Sequence, residues 1–177
     1  SSDLRCDMLL SRETIAKAKG GDRQAFGQLY ESVALELYKV ALYTLGNPED
    51  AEDAVSETFL EAWKGISGLR EEDSFRPWIF RILSARCKRK ISGYIKERGN
   101  IDLEDYLEEG VEDRSPRRAE VLEVMNRLTP EEREIVVLSV LEGYTMREIA
   151  QIKELPQGTV SSKLHRTLKK LRQMLND

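Results

Sequence analysis

Between Thr145 and Leu175 the chain starts, stops and restarts a helix in a way that leaves few folds open. Thr145-Met146-Arg147-Glu148 is a capping box: a Thr hydroxyl and a Glu carboxylate three residues on can each take a free backbone N–H. It opens a short helix to about Glu154. Leu155-Pro156-Gln157 then turns the chain, and Gly158–Leu175 reads as a second helix. Two helices crossing steeply over a three-residue turn form a helix-turn-helix. Ile149, Ala150 and Val160 fall where the pair would touch, and Ala150 is small enough for a close crossing.

The exposed face of the second helix carries Ser161, Ser162, Lys163, His165, Arg166, Lys169, Lys170 and Arg172. From Thr159 to Arg172 there are five basic residues and no acidic one. Basic and hydroxyl groups reach phosphates and base edges, and a helix N-terminus attracts phosphate. The expected function of this helix is therefore reading the major groove of DNA. The bland alternative is a solvated amphipathic helix. A lone histidine such as His165, beside Arg166 and with no second ligand at metal-binding spacing, fits a phosphate or solvent contact better than a metal.

Helix signals continue upstream. Ser11 caps a helix to about Lys19, and Asp22 caps a longer one to about Leu45, with Phe26, Leu29, Val33, Leu37 and Val40 on one face. Asn47-Pro48 opens a third helix to about Trp63, Lys64–Asp73 reads as a loop, and Ser74 opens a fourth helix to about Tyr94. Pro116–Leu128 and the capping box Thr129-Pro130-Glu131-Glu132 start two more. Strand-type alternation is nearly absent. The expected class is all-α: two small helical domains joined by an acidic linker, the second ending in the helix-turn-helix. The boundaries are 1–98, a linker at 99–114, and 115–177.

Charge is segregated along this frame. The net charge of −4 hides a block of −7 over residues 1–75, +7 over 76–98, −7 over 99–113 and +3 over 114–177. Such blocks suit different surfaces for different partners. In the third helix Asp50, Asp53, Glu57 and Glu61, three and four apart, form one acidic stripe, and Val55, Phe59, Ala62 and Trp63 the packing face. No catalytic His or Ser, Gly-rich loop or metal motif accompanies the carboxylates, so a solvated face or a dock for a basic partner is expected rather than acid–base chemistry. In the fourth helix Phe75, Trp78, Ile79, Ile82, Leu83 and Ile91 form an apolar face among Arg76, Arg81, Arg86, Lys88, Arg89 and Lys90. Cations for phosphates and rings for bases can hold a separated strand. Trp78 fits the core, while Phe75 fits either core or base stacking.

Cys6 and Cys87 match neither a disulfide framework nor a metal site, which suits a reducing cytoplasm. No apolar run reaches the roughly 20 residues that span a bilayer, and no signal-peptide pattern begins the chain.

In this order the residues resemble the extracytoplasmic-function (ECF) group of bacterial sigma factors over about residues 12–175. In the first half the resemblance rests on Asp22…Ala25-Phe26…Leu29-Tyr30, Ala51-Glu52-Asp53-Ala54-Val55…Glu57-Thr58-Phe59-Leu60-Glu61-Ala62-Trp63 and Phe75…Trp78-Ile79…Ile82. In the second it rests on Leu128-Thr129-Pro130-Glu131…Arg133, Glu142-Gly143-Tyr144-Thr145…Glu148-Ile149-Ala150 and Gly158-Thr159-Val160…Ser162-Lys163-Leu164-His165-Arg166.

The resemblance implies a non-enzymatic specificity subunit without cofactor or metal, monomeric when free. It would act with core RNA polymerase and promoter DNA in the bacterial cytoplasm, with an anti-sigma factor as the partner that can sequester it at the inner membrane face. It implies core-polymerase docking for Asp50, Asp53, Glu57 and Glu61. It implies minus-ten DNA contacts for Phe75, Arg76, Arg81, Lys88 and Arg89. Minus-thirty-five contacts fall on Gln157, Thr159, Ser161, Ser162, Lys163, His165 and Arg166. The chain departs from the family at Ser56, where Gln is usual. It departs at Ala85 and Arg89, where Asn and Asp are common, and at Glu154, where the turn usually has Gly.

Overall fold

The computed structural model describes residues 11–97 and 116–176. The segment read as an acidic linker and Cys6 lie outside the described residues. Within them all regular structure is helical: α1 Arg12–Lys19, α2 Arg23–Leu45, α3 Pro48–Gly65, α4 Phe75–Glu97, α5 Pro116–Asn126, α6 Pro130–Val136, α7 Met146–Lys153 and α8 Gln157–Asn176.

The boundaries follow local chemistry. Ser11, Asp22 and Asn47 each accept backbone N–H groups at the starts of α1, α2 and α3, satisfying donors that have no intrahelical partner. Gly46 ends α2 in the left-handed region at φ 72°, with its N–H on Leu42 O at 2.8 Å. Both capping boxes form, Thr129 with Glu132 and Thr145 with Glu148. Two expectations shift. The stretch Lys64–Asp73 is not plain loop, because α3 runs on to Gly65 and two 3-10 turns, Ile66–Gly68 and Glu72–Ser74, follow. They tuck Ile66 and Leu69 into the core and delay the start of α4 to Phe75. The helix opened at Pro130 widens into a π turn over Val137–Leu141.

The first half is a bundle of α2, α3 and α4 with α1 across it. Leu29, Val33, Leu37 and Val40 of α2 are buried, and Phe26 packs at the edge against Phe59 and Trp63. In the second half Ile149 and Ile152 of α7 meet Val160 and Leu164 of α8, over Ile135 and Leu138.

The two halves pack on one another and their buried side chains form one continuous core. Helix α4 lies against α7, and α2 against α6. Phe80, absent from the apolar face read in the sequence, is 1% exposed because Tyr144 covers it edge-on at 5.3 Å between ring centres. So α4 has two apolar faces, one toward each half. Polar groups also cross the seam. Arg133 donates to Leu128 O and, across it, to Thr44 O at 3.1 Å in the last turn of α2, where the carbonyl end of a helix favours a cation. Burial still pushes the Arg133 guanidinium down to about 10. Lys153 Nζ lies 2.5 Å from Glu134 Oε2 and 3.1 Å from Ser84 Oγ, with the Lys153 and Glu134 side chains 9% and 6% exposed.

Candidate nucleic-acid and polymerase interfaces

The turn before α8 has the least ordinary backbone among the described residues. Glu154 sits at φ 54°, ψ 43°, the single non-Gly residue at positive φ among the described residues. Its N–H reaches Ala150 O, and Leu155 N–H bonds the same carbonyl at 3.1 Å. This left-handed stop is where glycine is normally preferred. It lets the chain reverse in three residues so that α8 crosses α7.

Val160, Leu164 and Thr167 face inward, which fixes the outward face of α8. Of the seven residues assigned to minus-thirty-five contacts, Gln157, Ser161, Ser162, His165 and Arg166 are exposed. They share one side of the helix, three and four apart. Thr159 and Lys163 are half-buried on the flanks. Arg166 folds back, its Nε 3.3 Å from Ser162 O. Lys163 is turned toward α6, where its ammonium lies 2.9 Å from Glu131 Oε2. Two turns on, Lys170 lies 3.3 Å from Glu132 Oε2. The hydrogen bond from Lys163 holds the Glu131 carboxyl below its ordinary range against the opposing effect of burial. Sequence reasoning missed both pairs. The available signal was the seven-residue spacing of Lys163 and Lys170 opposite adjacent carboxylates in a helix's first turn.

The minus-ten assignments do not form one free surface. Phe75 is 2% exposed and belongs to the core beside Trp78, so its ring is closed to a base here. Arg76 pairs with Glu36 at 2.5 Å. Arg81 Nε donates to Gln151 O of α7 at 3.2 Å. Lys88 and Arg89 are exposed, as is Ala85. Arg81, Ala85 and Lys88 line a cleft of about 610 Å³ between the halves, facing Glu131, Lys153 and Leu155.

The acidic stripe on α3 divides. Glu61 accepts from Arg86 Nε of α4 at 2.8 Å, and Glu57 lies 3.5 Å from Lys90 and 3.8 Å from Arg86. Asp50 and Asp53 have no ion pair among the described residues, and Asp53 is exposed. Leu60, next to Glu61 and two turns on from Asp53, is 63% exposed. The surface offered to a partner is thus the N-terminal half of the stripe, with an apolar side chain farther along α3. On the second half Val121, Val140, Leu141 and Leu175 are exposed around a groove of about 570 Å³ that also meets Tyr43, Leu168 and Leu171.

Comparison with known proteins identifies the family. Residues 29–94 match the family model "Sigma-70 region 2", and residues 118–171 match "Sigma-70, region 4". The chain is 30% identical to the ECF RNA polymerase sigma factor SigM of Mycobacterium tuberculosis, over 92% of this chain and 83% of that one. It is 27% identical to the ECF RNA polymerase sigma factor BldN of Streptomyces coelicolor over 93% of its own length, and spans 66% of that relative. A solved structure of CnrH in complex with the cytosolic domain of CnrY superposes with a TM-score of 0.69 at 27% identity, covering 94% of this chain and 97% of that one. With both sigma regions in order on an all-helical frame, the chain belongs to the ECF RNA polymerase sigma factors.

Proposed function

We propose that this chain directs core RNA polymerase to a class of promoters through two separated readers, and that the catalysis of transcription belongs entirely to the polymerase. The observation that carries the reading is the combination on one chain of an unpaired acidic face on α3 and a helix-turn-helix with a basic outward face. The exposed side of α8 reads the minus-thirty-five element, and α4 with the turns before it engages the minus-ten element. Asp50 and Asp53 dock on a basic surface of the core, with Glu57, Leu60 and Glu61 farther along α3 at the edge of that contact.

The packing of the halves bears on mechanism. Arg76 and Arg81 are engaged by protein groups, Arg81 by α7 itself. To free Arg81 for DNA, α7 must separate from α4. A partner that engages α3 and also groups covered in the closed chain, such as Arg81, shifts the equilibrium toward the open arrangement by its differential affinity. The apolar groove around Val140 and Leu141 suits one face of an amphipathic helix. We assign it to an anti-sigma factor; the structural neighbour CnrH was itself solved in complex with a protein partner, the cytosolic domain of CnrY. Among the described residues no helix is long and apolar enough to cross a membrane.

Run-off transcription with purified core tests the reading. Promoter-dependent transcripts are expected when the chain is added. Folded protein that yields none over a broad promoter library would overturn it.

A further inference from the structure

The two ion pairs that tie α8 to α6 engage two cations on one flank of the reading helix. Lys163 and Lys170 lie two turns apart along one flank of α8, and Glu131 and Glu132 face them from the first turn of α6. These four side chains, with Thr129, Ile135, Arg166 and Thr167, line a shared open groove of about 430 Å³. The outward face bearing Gln157, Ser161, Ser162 and His165 is untouched by them. A helix seated in the major groove directs its outward face at base edges and its flanks at the phosphates on either side.

We propose that Glu131 and Glu132 are specificity-determining residues that act by competing with DNA phosphate for Lys163 and Lys170. This rests on the assignment of α8 as the minus-thirty-five reader. Half-exposed ion pairs are weak, so a phosphate can displace the carboxylates. The displaced carboxylates then stay near the phosphates and repel them. The cost falls on the sequence-independent part of binding, which is almost wholly phosphate neutralisation. Contacts to base edges escape it. The acidic pair therefore lowers affinity for all DNA while raising the ratio of specific to non-specific binding. The depressed protonation range of Glu131 agrees with a carboxylate that stays charged and available for this competition.

The test uses holoenzyme assembled from core and this chain, on the promoter giving the strongest run-off and on a scrambled duplex, over a salt series. The variant is E131Q/E132Q. Gln keeps the Thr129 capping box, and E131Q alone leaves that box untouched if the double variant folds poorly. Freed of competition, each lysine adds up to one phosphate contact, so the log–log salt slope should steepen by about 1–2 and affinity for the scrambled duplex should rise roughly tenfold. Promoter affinity should rise less, so the specificity ratio falls. Unchanged or weakened binding to both duplexes would show that the pairs merely brace α8, and would overturn the proposal. R166A distinguishes the underlying reading, because Arg166 lies on the DNA side of the groove with no carboxylate partner among the described residues. If R166A loses promoter affinity and E131Q/E132Q is silent, only the competition is wrong. If R166A is silent too, the reading role of α8 falls and the proposal falls with it.

Discussion

Glu154 holds a left-handed backbone that costs an L-residue roughly 1–2 kcal/mol. Its side chain is exposed and makes no hydrogen bond or ion pair among the described residues, so nothing local offsets that cost. Glu154→Gly should therefore stabilise the chain by about 1 kcal/mol, less a few tenths for the freer unfolded chain. Chemical denaturation would show a higher midpoint at unchanged slope; a lower midpoint would mean that the turn is not strained. Single-residue features of this kind were largely legible in the sequence. Ser11, Asp22, Asn47, Thr129 and Thr145 declare helix starts because a cap acts within three residues of itself. The strain at Glu154 was legible for the same reason, as a residue standing where a stop wants glycine. Phe75 was not. Its fate depends on the two 3-10 turns before it, which bring it inside, and no spacing rule encodes those.

Pairs of helices carry the surfaces. On α3 the unpaired carboxylate Asp53 and the paired Glu57 should behave differently. Asp53→Lys removes a free charge from the proposed docking face and leaves the packing of α3 on α4 alone. It should weaken association with core polymerase by at least roughly tenfold, a level typical of close charge reversal across an interface, with helicity unchanged. Glu57→Lys should in addition lower stability, because it places a third cation beside Arg86 and Lys90. Competition binding with labelled core, alongside thermal melts, separates the two. Core affinity unaltered by Asp53→Lys would remove α3 from the docking face. The stripe was readable as a stripe, since helical period determines which carboxylates share a side. That half of it is neutralised by α4 was not readable, because Glu57 and Lys90 are 33 residues apart. The charge blocks of opposite sign hinted that these segments attract. They could not say which residues would meet. The same limit hid the pairing of α8 with α6.

At the scale of the molecule, the halves share a core although their sequences read as separate units. The seam combines apolar contact, as at Phe80 and Tyr144, with buried polar groups whose partners come from both sides. Lys153 is the clearest case. Removing it by Lys153→Met leaves Glu134 buried and without its partner cation, which should destabilise the closed chain by about 3–5 kcal/mol. Adding Glu134→Leu should restore most of that loss, because the pair is then replaced by apolar groups of similar size. Denaturation midpoints of the single and double variants would decide it. A single variant as stable as the parent would mean that the buried pair, made within the second half beside Ser84 of the first, contributes nothing to stability. The second apolar face of α4 explains why two domains seemed sufficient: a helix read alone shows its stronger face, and Phe80 belongs to the other.

Cys87 gives this seam a clock. Its thiol is buried at 1% exposure, and burial first, then the nearby Glu134, holds it well above the ordinary thiol range. A thiolate able to react with an alkylating reagent exists only in moments when the fold parts around it. With Cys6 replaced by Ser, the rate at which one added mass appears therefore counts openings per unit time without any engineered label. Timed in the presence and absence of core polymerase, it would report how often the molecule visits the parted state unaided, and whether the polymerase waits for such visits or hastens them.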